Sequence, residues 1–233
     1  MAWTSSLKTA AIVAGLALPA AAVAAPRTFV YSVNHSHYGD IGTYERTIDQ
    51  TGGVIRARSR LLIAVKMMGM VVHRERDDQT EVWRDRRLVS FNSVSDTAGQ
   101  HLAVSGEASA GKFLITSPSG TTTAPADVAA ADPWGLDHVG RGQAVSIKSG
   151  KVEQVDVTGG QPERIVVGGV AMQARHFSAS TAAQPDKWDV WIDRDGVPVK
   201  FRSREGKAMV DFTLVSPNPA GGPLAEARLA PGG

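Results

Sequence analysis

Residues 187–215 read KWDVWIDRDGVPVKFRSREGKAMVDFTLV and decide the fold. Apolar and polar side chains alternate along three short runs, of which Trp188–Ile192 is the clearest, and this is the period of a strand with one buried face. Arg194-Asp195-Gly196 and Glu205-Gly206-Lys207 supply turn residues between the runs. The stretch predicts a three-stranded antiparallel meander whose apolar face needs further sheet to cover it.

The rest of the chain continues this pattern at hairpin spacing, with about twelve strand-like runs in all. Both parities are apolar from Leu61 to Val72, which predicts burial on both faces. One short helical turn is expected at Pro125–Ala131. The sequence therefore predicts a single all-β domain over residues 25–216, with at most short helices, in which a curved antiparallel sheet forms a half-barrel or barrel. Residues 217–233 are rich in proline and glycine and are expected to form a disordered tail.

Residues 1–24 have the pattern of a cleaved secretory signal peptide. Lys8 precedes an apolar run over residues 10–18, and Ala22 and Ala24 flank Val23 as a small-x-small cleavage site. The run is shorter than the roughly 20 residues that span a bilayer. The sequence thus predicts export to the periplasm.

Composition excludes several classes of function. Removing residues 1–24 leaves 24 basic and 23 acidic side chains from the 25 and 23 of the whole chain, because only one lysine is lost. This near balance argues against a nucleic-acid partner. The chain has no cysteine, so it has no disulfide, no thiol nucleophile and no cysteine-ligated metal.

Three stretches carry a resemblance to a known family. The segments Gly39–Thr43, Ala174–Phe177 and Trp188–Phe201 resemble exported bacterial proteins of unknown function. Those proteins are similar to the periplasmic lipoprotein-carrier fold, a curved antiparallel half-barrel with an apolar concave side. The resemblance covers most of residues 28–215 and implies the fold, but it brings no catalytic residue and no cofactor.

Candidate catalytic and metal-binding residues are few. His35 and His37 lie on one side of a strand end and could donate two imidazoles to zinc or copper, or they could simply be solvated beside a turn. No nucleophile elbow or Ser-x-x-Lys pattern with its usual partners is present. The sequence therefore predicts no catalytic residues, and an enzyme remains the third hypothesis for the function.

Apolar and basic side chains suggest two binding surfaces. Flexible, polarizable methionines and large indoles suit apolar ligands, although they also fill cores. The predicted ligand-binding residues are Met67, Met68, Met70, Trp83, Trp188 and Trp191. Arg56, Arg58 and Arg60 share one strand face, where they could meet an anionic membrane surface or an acidic partner, or be balanced by nearby acids.

The preferred hypothesis is a non-catalytic periplasmic protein that holds an apolar or amphipathic ligand, such as a lipid, in the concave side of the sheet. The alternative is a structural or interaction module of the cell envelope with a filled core. A ligand carrier needs a hollow lined by the methionines, whereas an interaction module needs a packed interior. An enzyme needs histidine, serine or acidic side chains that converge in one cleft.

Overall fold

The computed structural model describes residues 25–135, 140–182 and 184–218. The predicted signal peptide and residues 219–233 of the predicted tail lie outside these ranges, while residues 217 and 218 belong to the last strand. The described residues form one curved sheet and contain no helix, and hence none long and apolar enough to cross a membrane. The predicted all-β class is confirmed. The strands are β1 Arg27–His35, β2 Gly39–Thr51, β3 Val54–Met67, β4 Met70–Arg84, β5 Arg87–Thr97, β6 Gln100–Ser109, β7 Lys112–Ser117, β8 Gly120–Pro125, β9 Ala129–Ala130, β10 Arg141–Val145, β11 Val152–Val167, β12 Val170–Thr181, β13 Gln184–Ile192, β14 Pro198–Glu205 and β15 Ala208–Asn218.

The sheet consists of two meanders that meet at a seam. β1 is hydrogen-bonded to β2 on one side and to β15 on the other, whereas β8 and β9 are the two outermost strands. All neighbouring strands are antiparallel except β9 and β10. The first and last described strands thus lie side by side in the middle of the sheet, and the sheet curves without closing.

The predicted meander is confirmed as β13, β14 and β15. Register pairs Val190 with Phe201 and Phe201 with Phe212, which places the three side chains on the inner face. The Phe201 and Phe212 rings stack with centroids 4.3 Å apart. Across the seam, the Tyr31 hydroxyl donates to the carbonyl of Pro198 at 2.8 Å. The meander is therefore tied to the first strand by ring packing and by a buried hydrogen bond.

A mostly irregular segment, rather than a helix, packs into the hollow of the sheet. We call residues 128–134 the crossing segment. Val128 and Ala130 pack into the core cluster of β5–β8. Ala129 and Ala131 pack against the cluster of β11–β13. The helical turn predicted at Pro125–Ala131 is wrong, because Pro125 is the last residue of β8 and Ala129–Ala130 form the extended strand β9. The two halves of the sheet thus share one core through this segment.

The burial predicted for both faces of Leu61–Val72 is also wrong. Pairing between β2 and β3 begins at Ile63, and pairing between β4 and β5 begins at Glu75. Val65 is still buried against Val33, Ile41 and Val210, but residues 66–72 form a projecting end of the hairpin and are exposed. Because no described residue covers this end, Met68 and Val72 are exposed although their stretch is apolar.

Gly106 on β6 is required by the ring packing above it. The Phe91 and Phe113 rings stack with centroids 6.0 Å apart, and a Cβ at Gly106 would lie 2.3 Å from the first ring and 2.5 Å from the second. We expect Gly106→Ala to lower the free energy of unfolding by about 1–3 kcal/mol, the usual effect of overpacking. Urea unfolding measures it, with Ser105→Ala as control. Equal stability of the two variants would contradict the packing argument.

Candidate functional site

The hairpin between β3 and β4 carries three of the predicted ligand-binding residues. Met67 and Met70 pair across the turn, and Met68 and Gly69 have positive φ angles of 49° and 80°. Positive φ at both central residues is typical of the two-residue hairpin turn whose twist matches that of its strands. Met68 is 98% exposed and Met70 is 67% exposed. We call the exposed apolar surface here the methionine tip; it comprises Met67, Met68, Met70, Val71 and Val72.

The hairpin between β1 and β2 lies at the same end of the sheet, because β2 and β3 are antiparallel neighbours. Exposed Tyr38 stacks on His35 with ring centroids 4.7 Å apart. His35 Nδ1 accepts the backbone N–H of His37 at 3.1 Å, which occupies one ring nitrogen of the two candidate metal ligands. In the part of the chain that the structure describes, no group of three histidine, aspartate or glutamate side chains could hold a metal ion.

The three predicted tryptophans do not join the methionines. Trp83 donates from Nε1 to Glu81 at 2.8 Å and packs against the core cluster of β5–β8. Trp188 faces the crossing segment from the inner side of β13. Trp191 is buried on the outer face, where the distal part of hairpin β11–β12 covers it. The six predicted residues thus lie at four separate places and do not line one hollow.

Trp191 belongs to a polar network on the outer face of β11–β13. Its ring stacks on the imidazole of His176 with centroids 4.5 Å apart. Trp191 Nε1 donates to Glu163 Oε2 at 3.0 Å, and His176 Nδ1 lies 3.1 Å from the same oxygen. The other imidazole nitrogen lies 3.1 Å from Asp189 Oδ1, which also accepts the Ser178 hydroxyl at 2.8 Å. Because the serine hydroxyl is directed to the carboxylate and not to the imidazole, the network links strands and does not pair a nucleophile with a base.

A charged cluster lies inside the sheet. Arg46 on β2 donates from its two terminal nitrogens to the two oxygens of Glu81 on β4, at 2.9 and 3.1 Å. The two side chains are 4% and 1% exposed. Ser59 on β3, between them, accepts a further bond from Arg46 at 3.1 Å. Together with Asp132 of the crossing segment, which lies 3.5 Å from Arg46, these charged residues form what we call the ionic node (Arg46, Glu81 and Asp132).

Asp132 is the group of the node that titrates near neutral pH. One guanidinium faces two buried carboxylates, and Glu81 holds it with two hydrogen bonds. Burial raises the pKa of Asp132 to about 7, with Arg46 acting to lower it and the nearby Glu81 to raise it. Perturbed carboxyl groups of this kind occur at functional sites, but also in structural ion clusters. The node therefore gains or loses one charge close to neutrality.

The space beside the ionic node is small. A cavity of about 30 Å³ lies between Asp132 and the inner side chains Trp188 and Phe201. That volume suits a single water molecule, whereas pockets for small ligands measure roughly 300 Å³ or more. Arg46 Nε and Trp134 Nε1, both buried, have no hydrogen-bond partner among the described residues. This cavity is therefore too small for the apolar ligand of the carrier hypothesis.

A second, partly buried charge cluster lies further along the inner face of β4. Lys148 reaches Glu75 directly and lies 3.3 Å from Asp77. Burial raises the pKa of Asp77 despite the opposing effect of the Lys148 ammonium. Glu75, Asp77 and Glu81 alternate along β4 and share its inner face. The concave side is therefore polar along this strand, unlike the apolar concave side that the carrier resemblance implies.

The arginine stripe is exposed and only partly balanced by acidic side chains. Arg60 donates to Asp78 at 3.1 Å, and Arg58 lies 3.8 Å from the same carboxylate. Arg56 faces Asp49 in the register of β2 and β3. Arg76 also donates to the Asp78 carboxylate, at 2.9 Å, so three cations share this one anion and the stripe keeps net positive charge. Its role in binding a membrane or an acidic partner stays a prediction.

The ionic node could not be predicted from the sequence. Residues 73–81 are polar at every position, so both faces of β4 carry polar side chains and no alternation marks either face as the inner one. The position of Asp132 had no signal in the sequence, since its contacts come from distant strands.

Comparisons with known proteins place the chain structurally but not functionally. A family model described as a domain of unknown function (DUF6134) matches residues 37–215. A solved structure, that of a beta-barrel-like protein of the domain of unknown function DUF1849 from Brucella abortus, is similar with a TM-score of 0.59 and 12% sequence identity. The match covers 84% of this chain and 98% of that chain. No curated protein matches the sequence. At this identity the structural likeness supports the fold alone.

Proposed function

Because the chain belongs to the DUF6134 family, whose function is unknown, we propose on physical grounds that it is a non-catalytic periplasmic binding protein for an apolar or amphipathic partner, in the first place lipid. We propose further that this partner contacts the methionine tip. The observation that carries the proposal is the exposure of Met68 and Met70 at the end of a projecting hairpin. Contiguous exposed apolar patches mark interaction sites on soluble proteins.

The filled interior supports a surface site over a site in the hollow. The cavity of about 30 Å³ beside Asp132 is too small for a lipid chain. A ligand in the concave side would have to displace the crossing segment, whose Ala130 is fully buried. A packed interior fits an interaction module of the cell envelope. The partner would then bind to the exposed hairpin and not inside the sheet.

The chemistry of the tip also supports an apolar partner. Methionine side chains are flexible and polarizable, so they adapt to partners without a fixed shape. The signal-peptide pattern of residues 1–24 and the absence of cysteine suit a periplasmic protein that folds without disulfides. The lipoprotein-carrier resemblance predicted from the sequence would, by analogy, also make lipids the partners.

Binding of a lipophilic dye tests the proposal. We expect dye bound to the mature protein to show enhanced fluorescence, and the variant Met68→Ser/Met70→Ser to lose most of it, because the tip then offers polar side chains. Val166 and Val170, each 66% exposed on the β11–β12 hairpin, provide the matched control variant Val166→Ser/Val170→Ser.

Two outcomes would contradict the proposal. One is equal dye binding by the native protein and both variants. The other is dye fluorescence that disappears in the control variant and persists in the methionine variant. Native mass spectrometry of protein purified from the periplasm would identify a co-purifying lipid, if one binds as a single molecule.

A further inference from the structure

We infer that the partner of the methionine tip is the surface of an anionic lipid bilayer, into which the β3–β4 hairpin inserts end-on. The inference rests on the proposed function and specifies the partner of that same site. The protein would then dock on a membrane surface, whereas a carrier would hold single lipid molecules.

The depth of the apolar surface matches the interfacial zone of a bilayer. In the register of the hairpin, Val65 pairs with His73, Lys66 with Val71, and Met67 with Met70. Lys66 lies two residues before the turn residue Met68, and His73 lies four residues after the turn residue Gly69. At 3.3 Å per residue these polar side chains stand about 7 Å and about 13 Å from the turn. Apolar faces of interfacial segments are buried by roughly 5–10 Å, so the tip is long enough to enter and too short to span.

The charges around the tip favour anionic headgroups. Residues 61–74 contain Lys66, His73 and Arg74 but no aspartate or glutamate. Lys66 and Arg74 are exposed, at the level where headgroups would lie if the tip were inserted. Exposed Tyr38 lies at the same end of the sheet, and tyrosine is enriched at the interface between membrane and water.

The small size of the tip argues against a protein partner. A stable protein–protein interface uses about 20–30 residues on each side. The methionine tip offers five side chains at the end of two strands, and its flanks carry charge. A fluid bilayer imposes no such requirement, because it closes around whatever is inserted.

A single fluorescent label tests the insertion. The chain has no cysteine, so the variants Met68→Cys and Val166→Cys of the mature protein can each be labelled at one site with an environment-sensitive dye. We expect the label at position 68 to shift to the blue with phosphatidylcholine vesicles that contain phosphatidylglycerol, and the label at position 166 to stay unchanged. Replacing Lys66 and Arg74 by glutamine should weaken vesicle binding by about fivefold per cation, and added salt should weaken binding of the native protein.

The outcomes separate this inference from the proposed function. If dye binding requires Met68 and Met70 but vesicles bind neither labelled variant, the bilayer inference is wrong and the apolar site stands. If both fail, both are wrong. A blue shift that grows with protein concentration without vesicles, and a dimer in native mass spectrometry that Met68→Ser abolishes, would assign the tip to a second copy of this chain and overturn the inference.

Discussion

Replacing Arg46 with methionine is expected to lower the free energy of unfolding by about 3–5 kcal/mol, the usual effect of removing one partner of a buried ion pair. Glu81 is 1% exposed, and both its oxygens accept hydrogen bonds from the guanidinium. Without Arg46, the Glu81 carboxylate would remain buried without its cationic partner, although the Trp83 indole would still donate to it. Urea unfolding followed by circular dichroism measures the loss.

A double-mutant cycle separates the charge effect from lost packing. In the variant Arg46→Met/Glu81→Met no carboxylate is left at position 81, so we expect much of the stability to return. Arg60→Met provides a surface control, because the Arg60–Asp78 pair is partly exposed and such pairs contribute at most about 1 kcal/mol. If Arg46→Met and Arg60→Met destabilise the fold equally, the buried node does not stabilise it in the way inferred.

Replacing Asp132 with asparagine is expected to stabilise the protein at pH 8 and to change little at pH 4. Burial raises the pKa of Asp132 from 3.8 to about 7. The folded chain therefore keeps this proton between pH 4 and 7 while the unfolded chain loses it, so the stability due to this group falls as the pH rises through that window. Over the whole window, this difference in pKa lowers the free energy of unfolding by about 4 kcal/mol. Asparagine carries no charge and therefore avoids this loss.

Asparagine suits this test because it preserves a local hydrogen bond. Asp132 Oδ1 accepts the backbone N–H of Trp134 at 2.7 Å, and an amide oxygen can do the same. Thermal unfolding of the native protein and the variant at several pH values between 4 and 8 gives the comparison. A constant difference in stability across this range would show that Asp132 does not titrate there.

The antiparallel strands could be predicted because alternation is a local property of the backbone. On β3, Ala57 and Ser59 are buried while Arg58 between them is exposed, as the period of two requires. The same rule gave the inward face of β13, with Val190 and Ile192 buried. Both results follow from the sequence without knowledge of the neighbouring strands.

Burial could not be predicted where a distant part of the chain decides it. Trp191 has the parity of the polar face, yet it is buried because the β11–β12 hairpin covers that side of the sheet. Met68 has apolar neighbours in sequence, yet it is exposed because its hairpin extends past the adjacent strands. Local pattern assigns a side chain to a face but does not say what lies above it.

The crossing segment illustrates the same limit most clearly. Its small side chains fit between two sheet halves, where Ala130 has no exposed surface. Alanine and valine have no strong signal for such a position, and alanine by itself favours a helix. Tertiary contacts on both sides override that preference here.

The seam between β1 and β15 has a consequence for the order in which the protein can fold. Tyr31 meets Pro198 across 167 residues, so the two meanders cannot join until nearly the whole domain has been synthesised. Pairing over such a distance is slow, because the loop must close before its contacts form. Each meander can begin to form from its own hairpins, but β1 has an unpaired edge until β15 arrives. Nascent chains should therefore remain dependent on chaperones, and sensitive to proteases, until the last strand has emerged.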